Sequence, residues 1–122
     1  MADFRRLKIW AAAQDLTEAI YRSTATFPSD ERFGLTSQMR RAANSISANI
    51  AEGCGRLGDR ELARFLRIAA GSAAEVESHI VQSQRLKFLK AEDADPLLKS
   101  TVTLRRRLYR LHNYLVGRRS TP

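Results

Sequence analysis

The chain has 122 residues, the length of one ordinary domain, and is 43% hydrophobic and 28% charged with six Gly and three Pro, which excludes collagen-like, low-complexity and wholly disordered classes. Lys and Arg number 21 against 13 Asp and Glu, a formal charge of +8, so a polyanionic partner is expected. Seventeen of the 21 cations are Arg, the side chain suited to planar, bidentate contact with phosphate or carboxylate.

The residues from Phe4 to Phe27 place Ile9, Ala13, Leu16, Ile20 and Phe27 on one helical face, with Trp10 and Tyr21 widening the stripe. Pro28 ends this first helix, expected over 4–27, because its ring and missing N–H cannot continue it. Ser29 is a good N-cap for a second helix over 29–53, with Asp30 and Glu31 set against the helix dipole. Its apolar face is Leu35, Met39, Ala42, Ala43, Ile46 and Ile50, and it stops at the cluster Gly53, Gly55 and Gly58. Asp59 opens a third helix over 59–89, with a stripe through Leu62, Phe65, Leu66, Ala69, Ala73, Val76 and Ile80 toward Leu86 to Leu89. Within it Gly71 to Ala74 is small-sided, which predicts a close helix crossing there. Asp95 and Pro96 form a start signal for a fourth helix over 95–116. There Leu97, Thr101, Leu104, Leu108, Leu111 and Leu115 repeat as a heptad seam.

No segment alternates with period two and the linkers are short, so the fold expected is all-α, an antiparallel up-and-down four-helix bundle over 1–116. Residues 117–122 read as a frayed basic tail. One cysteine, Cys54, excludes an internal disulfide and reads as an inert buried residue in a reducing compartment. No apolar run approaches the length of a membrane span, and Met1 to Trp10 lacks the apolar core of a signal peptide. A cytoplasmic protein with no membrane association is therefore expected.

The run Phe33-Gly34-Leu35-Thr36-Ser37-Gln38-Met39-Arg40-Arg41-Ala42-Ala43, then Ser45-Ile46 and Asn49-Ile50-Ala51-Glu52-Gly53, resembles the four-helix-bundle family of proteins encoded in 23S ribosomal RNA intervening sequences. Leu7 and Trp10, Phe27-Pro28, and Phe65-Leu66-Arg67-Ile68-Ala69-Ala70-Gly71-Ser72 with Glu75 and Glu77 extend the likeness over nearly the whole chain. The resemblance implies assembly as a homopentameric barrel. It also takes in the accessory proteins of diversity-generating retroelements, which engage a reverse transcriptase and nucleic acid through basic surfaces.

On the fourth helix Lys99, Arg106, Arg107 and Arg110 point away from the leucine seam. From Lys99 to Pro122 there are seven basic residues, including Arg118 and Arg119, and no Asp or Glu. Salt bridges among these residues therefore cannot account for them. Six of the seven, Lys99, Arg106, Arg107, Arg110, Arg118 and Arg119, are the candidate contacts to an RNA or DNA backbone, although charge opposite a seam is also what a solvated helix face presents. Only Tyr109 and Tyr114 lie nearby, so base stacking has little support. A second apolar line, Leu98, Val102, Tyr109 and Val116, lies roughly 100 to 140° from the seam and is the candidate subunit interface. Gln38, Arg41, Ser45, Asn49 and Glu52 form a polar line on the second helix, either a hydrogen-bonded seam anchored by Asn49 and Glu52 or a wet flank.

Catalytic chemistry has little to build on. Glu75 and His79 stand four apart, where a carboxylate-bridged di-iron bundle uses three, and His79 and His112 read as surface or flank residues. No catalytic group, metal or cofactor is expected, and the chain is not expected to be an enzyme. Two functions remain. One is a non-enzymatic, oligomeric nucleic-acid-binding accessory factor; the other is a protein scaffold gripping an acidic partner or a reverse transcriptase.

Overall fold

Local capping decides where the chain turns helical. The computed structural model describes residues 3–120, with side chains through Arg118. Asp3 Oδ1 accepts from the Arg5 N–H at 3.0 Å, capping a 3₁₀ turn at Phe4–Arg6. Leu7 is then extended, and α1 runs over Lys8–Thr24. Phe4 meets Trp10 edge to face at 5.0 Å, folding the turn against the start of α1. Thr24 donates its hydroxyl to the Ile20 carbonyl at 2.7 Å. The helix ends there, three residues short of Phe27.

Ser29 does not cap the second helix. After Pro28, residues Ser29–Glu31 form a 3₁₀ turn of their own, and α2 runs over Leu35–Gly55. Its cap comes from Glu31, whose Oε1 accepts from the Leu35 N–H at 3.0 Å. A Cβ at Gly34 would stand 2.7 Å from that same oxygen, so glycine makes room for the capping carboxylate. Gly58, at φ 90°, reverses the chain into α3, Asp59–Arg85.

Two ends depart from periodicity. The third helix stops at Arg85 because Lys87 adopts φ 65°. Phe88 then donates to Ser83 O at 2.8 Å and Lys87 to Gln84 O at 3.0 Å, the bond pattern of a Schellman motif. Leu86 is consequently exposed, while Leu89 is buried. The fourth helix, α4, spans Ala91–Ser120. It starts four residues ahead of Asp95 because Asp93 and Ala94 donate to Lys90 O and Glu92 and Asp93 favour the positive helix end. Pro96 therefore sits inside the helix, where it removes the bond to the Glu92 carbonyl and its ring crowds that carbonyl. At the other end α4 continues through Gly117 to Ser120, where a tail had been expected.

Among the described residues there are four α-helices and no strand, and the result is an all-α antiparallel bundle. Neighbouring helices pack as α1 on α2, α2 on α3, α3 on α4 and α4 on α1, with α1 and α3 diagonally opposite. The core takes Ile9, Leu16 and Ile20 from α1, and Met39, Ile46 and Ile50 from α2. From α3 it takes Leu66, Val76 and Ile80, and from α4 Leu97, Leu104, Leu108 and Leu115. Leu111 is only half-buried. Thr101 is fully buried and donates its hydroxyl to Leu97 O at 2.6 Å, so the seam tolerates it. Cys54 is buried, which raises its thiol pKa, with the Asp3 charge adding to the shift. No helix among the described residues is long and apolar enough to cross a membrane.

Close helix approach occurs at Gly53, not at Gly71. A Cβ at Gly53 would lie 2.9 Å from Phe65 Cβ and 3.4 Å from Leu62 Cα, whereas one at Gly71 would meet nothing within 4 Å. Gly53→Ala should therefore lower stability by about 1–3 kcal/mol through overpacking. Gly71→Ala should raise it by about 0.5–1 kcal/mol through helix propensity. Urea denaturation of the two variants beside the parent checks both signs.

Candidate nucleic-acid interface

The basic face of α4 divides into paired and unpaired cations. Arg105 reaches across to α3 and donates from Nε to Glu77 Oε1 at 3.3 Å. Arg118 reaches Asp59 Oδ2 at 3.1 Å, and a hydrogen bond with Tyr114, then the Asp59 charge, holds its pKa above the usual guanidinium range. Arg118 thus ties the end of α4 to the start of α3 and is not a free phosphate contact. Lys99, Arg106 and Arg110 are exposed and Arg107 half-buried. None of these four makes an ion pair or side-chain hydrogen bond among the described residues. The side chain of Arg119 lies outside the described residues.

The second apolar line is unevenly used. Leu98 packs against the core and Val102 is half-buried, while Tyr109 and Val116 are 40% and 37% exposed. Val102 and Tyr109 lie one turn to either side of Arg105, and Ala74 and Val81 one turn to either side of its partner Glu77. Ala74 is exposed and Val81 is 43% exposed. The Glu77–Arg105 pair therefore stands in an apolar patch shared by two helices. A depression of about 620 Å³ along α3, lined by Ala74, Ser78, Val81, Arg85 and Leu86, adjoins it. The α3 half escaped the sequence reading because Val81 follows the stripe residue Ile80 directly and reads as ordinary surface.

The polar line of α2 is brought together only at its middle. Ser45 and Ser72 share a hydrogen bond of 2.9 Å between their hydroxyls, and Asn49 Nδ2 donates to Ser45 O at 2.8 Å and to its Oγ at 3.0 Å. Glu52 is exposed and accepts from Arg56 on the same helix at 3.4 Å, so it does not anchor a seam. Gln38 and Arg41 are exposed and lie outside this cluster. His79, expected at the surface, is only 9% exposed, with Nε2 3.2 Å from Glu75 Oε2. Its Nδ1 has no partner among the described residues.

Residues 5–110 match the family described as 23S rRNA-intervening sequence protein. A solved structure from Bacteroides thetaiotaomicron, a protein of unknown function from the S23 ribosomal protein family, superposes with a TM-score of 0.76. The overlap covers 85% of this chain and 97% of that one at 19% identity, a likeness of fold alone. No curated protein matches.

Because the unpaired cations hold nothing in the fold, Arg106→Glu with Arg110→Glu should leave stability within about 0.5 kcal/mol of the parent. Leu108→Ala, midway between them at the fully buried seam, should cost about 2–5 kcal/mol. Guanidinium denaturation monitored by circular dichroism distinguishes the two.

Proposed function

The chain belongs to the 23S rRNA-intervening sequence protein family, and from that premise we propose that it is a non-enzymatic, homo-oligomeric accessory protein that binds the backbone of RNA or DNA. The observation that carries this reading is the patch Lys99, Arg106, Arg107 and Arg110, four cations on one helix with no internal counterion. Cations held without carboxylate partners keep their attraction for phosphate, and releasing counterions from the nucleic acid drives the association. Few aromatic groups lie on this face, so the backbone and not the base sequence is the main determinant.

The proposed assembly is a homopentamer, supported by the apolar patch around Glu77 and Arg105, which a second subunit would cover. Five copies at +8 each multiply a weak local contact into an avid one. The proposed setting is the cytoplasm. In the retroelement form of the proposal, supported by the Phe33–Gly53 resemblance, the same face engages nucleic acid held by a reverse transcriptase. The scaffold alternative is supported by the apolar patch, a surface that a protein other than a second copy could cover.

Fluorescence anisotropy with 20-residue RNA and DNA should show affinity falling log-linearly with salt, by about 0.9 per neutralised duplex phosphate. Arg106→Glu with Arg110→Glu should weaken binding on the order of tenfold and flatten that slope by about two. Absence of binding at about 50 mM salt would overturn the reading. Sedimentation equilibrium should give five times the 13.8 kDa chain mass, and a 13.8 kDa species alone would remove the oligomer.

A further inference from the structure

Between α1 and α4 the bundle closes least completely. Where the two helices face one another outside the core, α1 offers the short Ala12 and Ala19, and α4 offers Ser100 and Thr103. Side chains of that length cannot interlock across the interface, and a groove of about 370 Å³ remains. Its floor is apolar, made by Leu16, Leu97 and Leu104, all buried. Asp15 stands on the α1 lip, and Lys99 and Arg107 on the α4 lip. Asp15 makes no ion pair or side-chain hydrogen bond among the described residues, and neither do the two cations. A carboxylate that only accepts, two free cations and an apolar lining therefore border one space.

Resting on the nucleic-acid reading above, we propose that this groove seats one unpaired base of a single-stranded nucleic acid, with guanine preferred. Ala12 and Ala19, half-buried above the leucines, take the ring face, and the half-buried Arg107 can lay its guanidinium plane over the other side, a stacking surface that needs no aromatic residue. The Asp15 carboxylate accepts from the two adjacent N–H donors on the guanine edge. Lys99 takes a phosphate flanking the seated nucleotide, and the strand continues over Arg106 and Arg110. The volume sits at the lower end of the roughly 300–1,000 Å³ that small-ligand sites occupy, the scale of a nucleotide. An acidic peptide, the other ligand that two cations attract, carries no side-chain pair of adjacent N–H donors for Asp15. A paired base is held in its stack and cannot enter, so the seat discriminates single strand from duplex.

The test compares single-stranded RNA, single-stranded DNA and duplex of equal length, with guanine or uracil at one central position, by anisotropy at about 100 mM salt. The seat predicts tighter binding of single strand than duplex, and of guanine than uracil by about tenfold. Asp15→Asn should abolish the guanine preference. Ala19→Leu should fill the groove and abolish the single-strand preference while leaving duplex affinity within about twofold of the parent. Thr103→Met, at an exposed position on the opposite lip, should repeat that result if Ala19→Leu fails to fold. RNA above DNA, or the two equal, identifies the sugar the seat tolerates, and both outcomes support it. Single strand bound no better than duplex, or a groove-filled variant losing both equally, overturns the seat and leaves backbone binding standing. Binding of a polyglutamate peptide to the parent but not to the groove-filled variants assigns the groove to a protein ligand and overturns it as well. Failure of every nucleic acid to bind overturns both readings.

Discussion

The alanine face of α3 sets the spacing of the bundle. Ala69, Ala70 and Ala73 are fully buried and Ala63 nearly so. Side chains that small let α2 and α4 settle close to α3. At one end of that contact Gly53 carries the approach further, with its α-carbon against Phe65 and Leu62. Larger residues fill the volume from the other side, Ile20, Met39, Ile46, Ile50, Leu104 and Leu108 among them. The helix opposite α3 is α1, and it meets α4 across residues too short to close the gap. Tight packing on one side of the bundle and an open groove on the other are thus two consequences of where the small residues fall.

The α4 seam was legible because leucine recurs at heptad spacing over five turns, and burial then follows from geometry. The stripes of α1 and α2 were legible for the same reason. What could not be read were the helix ends, where one side chain or one backbone angle outweighs periodicity. Glu31 caps α2 from four residues upstream, a role no propensity assigns to glutamate at that spacing. Lys87 takes the left-handed position usually given to glycine, so the hydrophobic pattern ran past the true end of α3. Pro96 suggested a first turn but is accommodated in the second.

The candidate site was legible as a charge excess and not as a set of free groups. Helical spacing sets Arg105 apart from Arg106 and Arg107 but names no partner for it. Only the fold shows that Arg105 meets Glu77, 28 positions away, while its two neighbours keep their charges unspent. Arg118 is similarly withdrawn by Asp59. Small residues misled in the same manner. Gly71 itself faces open space while Ser72 and Ala73 beside it make the contacts, and Gly53, which looked like a helix terminator, marks a further close approach. Pairing and proximity between distant segments are tertiary facts, and a single sequence encodes them without displaying them.

Two ion pairs fasten α4 to α3, one near its middle at Glu77–Arg105 and one near its end at Asp59–Arg118. The buried leucine seam sets the rotation of α4, and the two partly exposed pairs add a small bias in the same sense. Rolling in either direction would have to break two contacts about thirteen residues apart along the helix, as well as lift the leucines from their holes. The compass bearing of Arg106 and Arg110 is therefore set before any partner arrives. A strand laid along that face meets charges already aimed, and less of the encounter free energy goes into ordering the protein.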